Sequence, residues 1–282
     1  MLEIDEDTLN NSTIIYDSAK RKHPAIEELL ALVHYRDLIF QLVRRDIVAR
    51  YKRSVLGIAW TMLNPLGTMI IMVVVFSQVF KTAENYPAYV LTGVIVWTMF
   101  SQSTSMSMSS MVWGSQLFHQ IYLPRTSFVV STILASMVNF ILSFIPLGLI
   151  FLVTGVPIRP SILLLPIYMI FLFSFSLGVA LLLSTLAVFF PDVAELYPVI
   201  LTAWMYLSPI IMPLDLYRNI LNGLLLYINP IYYIINLFRI LVLDGFVPHF
   251  ATWGATAFVS FSVLIIGWIF FCHKADSFAY HV

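Results

Sequence analysis

Twenty-seven residues without a single charge, Ser54 to Phe80, begin directly after a segment crowded with them. In that segment Arg44, Arg45, Asp46, Arg50, Lys52 and Arg53 fall within ten residues. The apolar run exceeds the roughly 20 residues a helix needs to cross a bilayer. Lys and Arg are retained on the cytoplasmic side, so this junction marks the inner end of a first spanning helix. The sequence therefore predicts a membrane protein with its N-terminus inside.

The rest of the chain obeys the same constraint. Hydrophobic residues make up 60% of it and charged residues 11%, against roughly 25% charged in a soluble domain. Nine of the 15 Lys and Arg, and nine of the 15 Asp and Glu, precede Ser54. The apolar runs that follow are long and continuous, unlike the short alternating segments of a membrane barrel. The expected class is an all-α integral membrane protein. The single cysteine, Cys272, excludes a disulfide within one chain. The first apolar run starts far behind a charged segment, so no cleavable signal peptide is expected and the first span acts as the insertion signal.

Residues 1–33 are assigned to a flexible cytoplasmic tail, acidic at Glu3, Asp5, Glu6 and Asp7 and then basic at Lys20, Arg21 and Lys22. Asp5-Glu6-Asp7 has the Asp-x-Asp spacing of metal-dependent sugar-nucleotide sites, but without a flanking strand it reads as a solvated acidic tail. From about Ile26 to Arg53 the pattern is helical: Tyr35, Leu38, Ile39, Leu42 and Val43 share one face, which continues as Asp46, Arg50 and Arg53. Asp46 and Arg50 are spaced to pair. Such a helix rests along the inner surface with Arg44, Arg45, Lys52 and Arg53 near headgroup phosphates, or its charges simply set topology and snorkel.

Six spans are expected, at about 54–80, 88–111, 128–153, 162–190, 196–213 and 251–272, with short cytoplasmic residues 274–282 after them. Pro65 should kink the first. Ser101 to Ser110, SQSTSMSMSS, is polar for a span and serves either close helix packing or a wet path. Residues 112–127 return to the cytoplasm carrying exposed-type apolar residues, for a docked partner or the membrane interface. Pro191 to Glu195 forms an inner loop. Between the fifth and last spans, Ile220–Ile228 and Ile231–Leu243 are too short to cross and read as interfacial or re-entrant helices. This topology puts eleven Lys and Arg inside and four outside (Lys81, Arg159, Arg218, Arg239). A seventh span would strand Arg239 in lipid at roughly 2.5–3.5 kcal/mol.

No lysine follows a glycine, which excludes a Walker A loop. The six histidines are scattered and make no metal spacing. The six spans lack the carboxylates that mark ion-coupled transport. A transporter of this kind draws its energy from another subunit. Trp60, Trp97, Trp204 and Tyr206 are the candidate lining of a glycan path, since aromatic rings offer flat apolar faces with polar tips. The alternative for each tryptophan is the interfacial belt.

Arg50 to Trp60, RYKRSVLGIAW, followed by Leu63-Asn64-Pro65, resembles the opening signature of type-2 ABC exporter permeases, closest to those exporting O-antigen, capsular polysaccharide or teichoic acid. Leu117 to Arg125, ending Tyr-Leu-Pro-Arg, resembles their first cytoplasmic coupling segment. Ser208-Pro209-Ile210, Asn229-Pro230, Phe238-Arg239 and Asp244-Gly245 resemble their distal pattern. The resemblance covers about His34 to His273, and the amino-terminal tail is longer than it implies. It implies a six-span domain over 34–273, an interfacial helix before the first span, and two re-entrant helices before the last. It also implies a homodimer joined by two nucleotide-binding ATPase subunits, with ATP and Mg on those partners and no cofactor on this chain. One departure is clear: where the family reads Phe-Arg-Asp, this chain has Phe190-Pro191-Asp192.

The resulting expectation is a permease for a polyprenyl-pyrophosphate-linked glycan in the bacterial cytoplasmic (inner) membrane, in contact with lipid and with no nucleic-acid partner. Arg44, Arg45, Arg50, Lys52 and Arg53 would take the headgroup. Leu117, Phe118, Ile121, Tyr122 and Arg125 would couple to the ATPase, with Asp192 and Glu195 at an inner-loop gate. The alternatives are a membrane-embedded glycosyl- or phosphotransferase on the same carrier, with Asp192 and Glu195 as its carboxylates, and a teichoic acid or small-molecule exporter of the same superfamily.

Overall fold

A computed structural model describes residues 24–52, 55–80, 85–113, 124–214, 217, 223–274 and 278, and the described residues form helices and turns with no strand. The order is α1 (Pro24–His34), α2 (Arg36–Tyr51), α3 (Ala59–Phe76), α4 (Tyr86–Trp113), α5 (Thr126–Leu142), α6 (Phe144–Thr154), a 3-10 turn (Pro160–Leu164) leading into α7 (Leu165–Phe189), α8 (Asp192–Tyr206), α9 (Leu224–Ile228), α10 (Pro230–Arg239) and α11 (Phe250–Lys274).

Four stretches are long and apolar enough to cross a membrane: Ala59–Phe76, Thr126–Thr154, Pro160–Phe189 and Phe250–Lys274. Each coincides with an expected span. The first is shorter than its charge-free run, because the helix starts only at Ala59 after a turn through Gly57, whose φ is +49°. α4 is longer still, at 28 residues, but its serine-rich half lowers its hydropathy. α8 has 15 residues, or about 22 Å at 1.5 Å per residue.

Proline sets most of the breaks. Pro146 has no N–H for the Leu142 carbonyl. The α5–α6 helix accordingly breaks at Ser143, whose hydroxyl folds back onto the Asn139 carbonyl at 2.9 Å. Pro209 likewise denies Met205 its donor, and α8 stops at Tyr206. Pro191 is the N-cap of α8, so Asp192 and Glu195, expected in a loop, instead lie in the first helical turn. Carboxylates are favoured there by the partial positive charge of the helix N-terminus.

Central to the bundle is α4, packed on α3, α5, α7, α8 and α10. Its residues Val90, Leu91, Ile95 and Phe100 are all but fully buried. Its hydroxyls serve packing. Ser103, Thr104 and Ser107 are fully buried, Ser103 and Thr104 donate back to the Phe100 carbonyl at 3.0 and 2.8 Å, and Thr104 meets the Tyr197 hydroxyl of α8 at 2.7 Å. Of the two readings of SQSTSMSMSS, close helix approach is the one these contacts fit.

At the other side of the core, α7 and α11 form the most extensive helix pair. They meet at Gly178 and Gly267, where a Cβ built on Gly267 would stand 2.2 Å from the Gly178 carbonyl oxygen.

The stretch assigned to a flexible tail ends in a docked helix. The Trp268 indole N–H of α11 donates to the Ala25 carbonyl at 3.2 Å, and the Thr126 hydroxyl donates to Glu28 Oε2 at 2.7 Å. α1 thus has ordered contacts before residue 33, where the tail was expected to end. The remainder of that tail lies outside the described residues.

Candidate functional site

The surface helix α2 presents the basic cluster. Ile39 and Leu42 are buried, on the face that packs against α5, as their spacing predicted, which leaves Arg44, Arg45 and Lys52 exposed. Asp46 was expected to pair with Arg50. Asp46 accepts from Arg45 Nε at 3.0 Å and Nη2 at 2.9 Å; the pairing with Arg50 lies outside the described residues. The side chains of Arg50 and Arg53 lie outside the described residues, as do Leu117, Phe118, Ile121 and Tyr122 of the expected coupling segment. Arg125, at the root of that segment, places its guanidinium 5.4 Å from the ring of Phe278. That ring in turn packs on Phe189 and Phe271.

The four aromatic candidates separate into two environments. Trp97, expected beside a moving glycan, is 7% exposed and sits edge-on to Trp204 with centroids 6.2 Å apart. Phe100 closes the cluster at 5.7 Å from Trp97 and 5.3 Å from Trp204. The Trp204 indole N–H is held by Asn229 Oδ1 at 2.8 Å. Trp97 is packed core and Trp204 is half-buried against it, since the middle of α4 turns that face towards α8. Trp60 and Tyr206 are each 54% exposed. Asp192 and Glu195 are exposed at the start of α8, and among the described residues no three His, Cys, Asp or Glu are grouped to hold a metal.

Trp60 opens a cleft of 180 Å³ between α3, α4 and α5. Three carboxamides line it, Asn64, Gln102 and Asn139, with the hydroxyls of Thr61 and Ser136. The Thr61 hydroxyl donates to the Ile58 carbonyl at 2.6 Å. Pro65 at the cleft wall denies the Thr61 carbonyl its ordinary i+4 donor.

A second feature was not foreseen. After α8 the chain runs irregularly from Leu207 to Met212 through the bundle, and irregular backbone in a membrane must find its partners inside the protein. Side chains from four other places supply them. Tyr217 Oη donates to the Tyr206 carbonyl at 2.7 Å and the Ser208 carbonyl at 2.9 Å. Asn229 Nδ2 reaches the Leu207 carbonyl at 3.3 Å and Ser208 Oγ at 2.9 Å. From α4, Tyr86 donates to Ile211 at 3.1 Å and Tyr89 to Met212 at 3.0 Å.

The remaining carbonyls go to Arg239. Its guanidinium donates to the Pro209 carbonyl, to Ile210 at 3.3 Å, to Tyr89 at 3.1 Å and to Thr92 Oγ1 at 3.4 Å. It lies 3.6 Å from the Tyr89 ring centroid and is only 6% exposed. A Cβ on Gly93 would come within 2.7 Å of Arg239 Nη2 and 3.2 Å of the Ile210 Cα, so this α4 position admits only glycine without displacement. The fragments Ser208-Pro209-Ile210, Asn229-Pro230 and Phe238-Arg239, separate in the sequence, are one assembly: a broken helix end and two of the side chains that solvate it. The only sequence signal was their polarity and proline content amid apolar runs.

The family profile described as "ABC-2 type transporter" matches residues 37–243. The O-antigen export system permease protein RfbA of Myxococcus xanthus is 27% identical, over 88% of this chain and 96% of that protein. A protein of the same name from Klebsiella pneumoniae is 29% identical over 74% of this chain and 81% of its own length. The polysialic acid transport protein KpsM of Escherichia coli is 24% identical over 80% and 89%. With the profile spanning most of the chain and carrying both the basic helix α2 and the Arg239 assembly, this protein belongs to the ABC-2 type transporter family.

Proposed function

We propose that this chain is the membrane-spanning subunit of an exporter that moves a lipid-linked polysaccharide from the cytoplasm across the bacterial inner membrane. Two copies form the translocation unit, and two separate ATPase subunits bind ATP and Mg and drive it. The observation that carries this reading is the nearly end-to-end likeness to permeases of O-antigen export. The neutral lining of the Trp60 cleft supports it, since a polyhydroxylated cargo requires hydrogen-bonding groups without net charge.

In this reading six segments cross the membrane: α3, α4, α5 with α6, α7, α8 with the turn after it, and α11. Both termini lie inside, and α9 and α10 are re-entrant from the outer side, as the distribution of Lys and Arg favours. Arg44, Arg45 and Lys52 on α2 meet the pyrophosphate of the lipid carrier, where exposed cations form charge-assisted bonds to phosphate oxygens. Arg125 and the segment before it receive the motion of the ATPase, with Arg125 steadied by Phe278.

The test is purification of the tagged chain in mild detergent, with mass spectrometry of co-purifying proteins and lipids and an ATPase assay. A nucleotide-binding subunit with ATPase activity, together with a polyprenyl-linked glycan, is expected. Recovery of the chain without any such subunit, under conditions that keep a known permease with its ATPase, would overturn the proposal. Charge reversal at Arg44, Arg45 and Lys52 together should lower glycan export at least tenfold, because each lost phosphate contact with a charged donor is worth about 1.5–3 kcal/mol. Membrane insertion should be unaffected; export at the wild-type rate would remove the headgroup role from α2.

A further inference from the structure

The Trp60 cleft runs from the first turn of α3 towards the middle of the bundle. From the end of α3 at Phe76, Trp60 is sixteen residues back, and from the start of α4 at Tyr86, Gln102 is sixteen residues on, each about 24 Å at 1.5 Å per residue. Ile95 and Ser143, at the cleft's other end, are about 13 and 16 Å from the same loop-linked ends of α4 and α6. A hydrocarbon core is about 30 Å thick, so in the six-span reading Asn64, Asn139 and Gln102, about 18, 22 and 24 Å from those ends, lie within its inner half.

Their chemistry restricts the occupant. An acyl or isoprenoid chain would offer the amides of Asn64 and Gln102 no hydrogen-bond partner, which a low-dielectric setting penalises heavily. An anion would need cationic donors and a cation would need carboxylates; among the described residues none lining the cleft is charged. Each carboxamide offers donors and an acceptor together, the pattern that a sugar hydroxyl matches with its own donor and acceptor. Ser136 adds a hydroxyl on the cleft wall that is 2% exposed and has no hydrogen-bond partner. The half-exposed indole of Trp60 supplies a flat face for the C–H side of a pyranose.

We propose that the cleft between α3, α4 and α5 is a binding subsite for one neutral, hydroxyl-rich sugar ring, with Asn64, Gln102, Asn139 and Ser136 as its hydrogen-bonding groups and Trp60 as its stacking face. It rests on the polysaccharide-export reading and gives that reading a place within each subunit. The cleft holds a ring, not a chain end, so successive residues of a glycan would occupy it in turn.

The experiment uses the full chain in lipid nanodiscs, titrated with methyl α-glucopyranoside and methyl α-mannopyranoside and followed by saturation-transfer NMR. Transfer to ring protons is expected in the wild type. Ser136→Ala and Gln102→Leu should each weaken it by up to about tenfold, the range of a single lost neutral hydrogen bond, and Trp60→Leu should abolish it. Ser136→Ala removes a hydroxyl with no protein partner, so the fold has no contact to lose and its effect reports on the sugar alone. Absence of transfer in the wild type, or transfer unchanged in all three variants, would overturn the subsite. Glycan export by the same variants is measured in parallel, with the ATPase subunit present. Export unaltered and transfer unchanged sinks the subsite while the exporter stands. Cleft-dependent transfer with no export of any glycan keeps the subsite and sinks the exporter.

Discussion

Replacing Arg239 by leucine should lower the melting temperature of the detergent-purified protein sharply and reduce export below detection, whereas lysine should restore only part of either. Leucine removes the donor to Ile210, one of the two donors to Pro209, and the cation over Tyr89. Hydrogen bonds to charged groups are worth about 1.5–3 kcal/mol each, and a buried acceptor left unpaired costs about 1–3 kcal/mol. The sum is a large part of a typical folding free energy of about 5–15 kcal/mol. Lysine keeps the charge but lacks the planar fork that serves several carbonyls at once. Melting curves followed by thiol-reactive dye at Cys272, which is buried, give the order wild type, lysine, leucine. Leucine melting with the wild type would mean that Leu207–Met212 does not depend on the guanidinium.

The same residue marks how far local pattern reaches. Its charge amid Ile231–Leu243 argued that this segment does not cross the lipid; the segment is a ten-residue helix followed by a π turn. What the charge binds could not be read locally, because its carbonyl partners come from the end of α8 and the first turns of α4. Proline's missing N–H breaks its own helix at Ser143 and before Pro209, through Pro146 and Pro209, whereas α3 runs on through Pro65 and α8 through Pro198. Charge was less informative where helix dipole and loop compete. Asp192 and Glu195 were read as loop residues, whereas they form a first helical turn with Pro191 at its cap.

The cleft and the aromatic cluster divide along similar lines. Trp60, next to a basic junction and before Asn64-Pro65, was legible as a candidate because polar and aromatic residues stand together in one segment. Its partner Gln102 stands in the polar stretch Ser101–Ser110 and Asn139 in an apolar run, and nothing in either says that they converge. Trp97 and Trp204 share the composition of a lining but not the position. The middle of α4 faces α8, and there the two indoles close on each other around Phe100.

The contact between α7 and α11 yields the second large effect. Gly178→Leu and Gly267→Leu should each strip the protein of its monodisperse peak in fluorescence-detected size-exclusion chromatography. A Cβ on Gly178 would stand 2.5 Å from the Val263 carbonyl oxygen and 2.6 Å from Leu264 N, and one on Gly267 would stand 2.2 Å from the Gly178 oxygen. All three obstacles are helical backbone, which cannot rotate away as a side chain does. The two helices must therefore separate, and overpacking of a dense interior costs about 1–3 kcal/mol even where neighbours yield. Alanine is already too large at either site and should lower the melting temperature. At Gly148 and Gly254, where a Cβ meets nothing within 4 Å, alanine should be neutral or stabilising, by up to about 1 kcal/mol from its better helix propensity. The alanine double variant at Gly178 and Gly267 sharpens the test. Once one Cβ has pushed the helices apart, the second enters space already opened, so the two losses should sum to more than the double variant shows, the signature of contacting residues. Strict additivity, or wild-type melting of Gly267→Ala, would mean that α7 and α11 do not meet backbone to backbone.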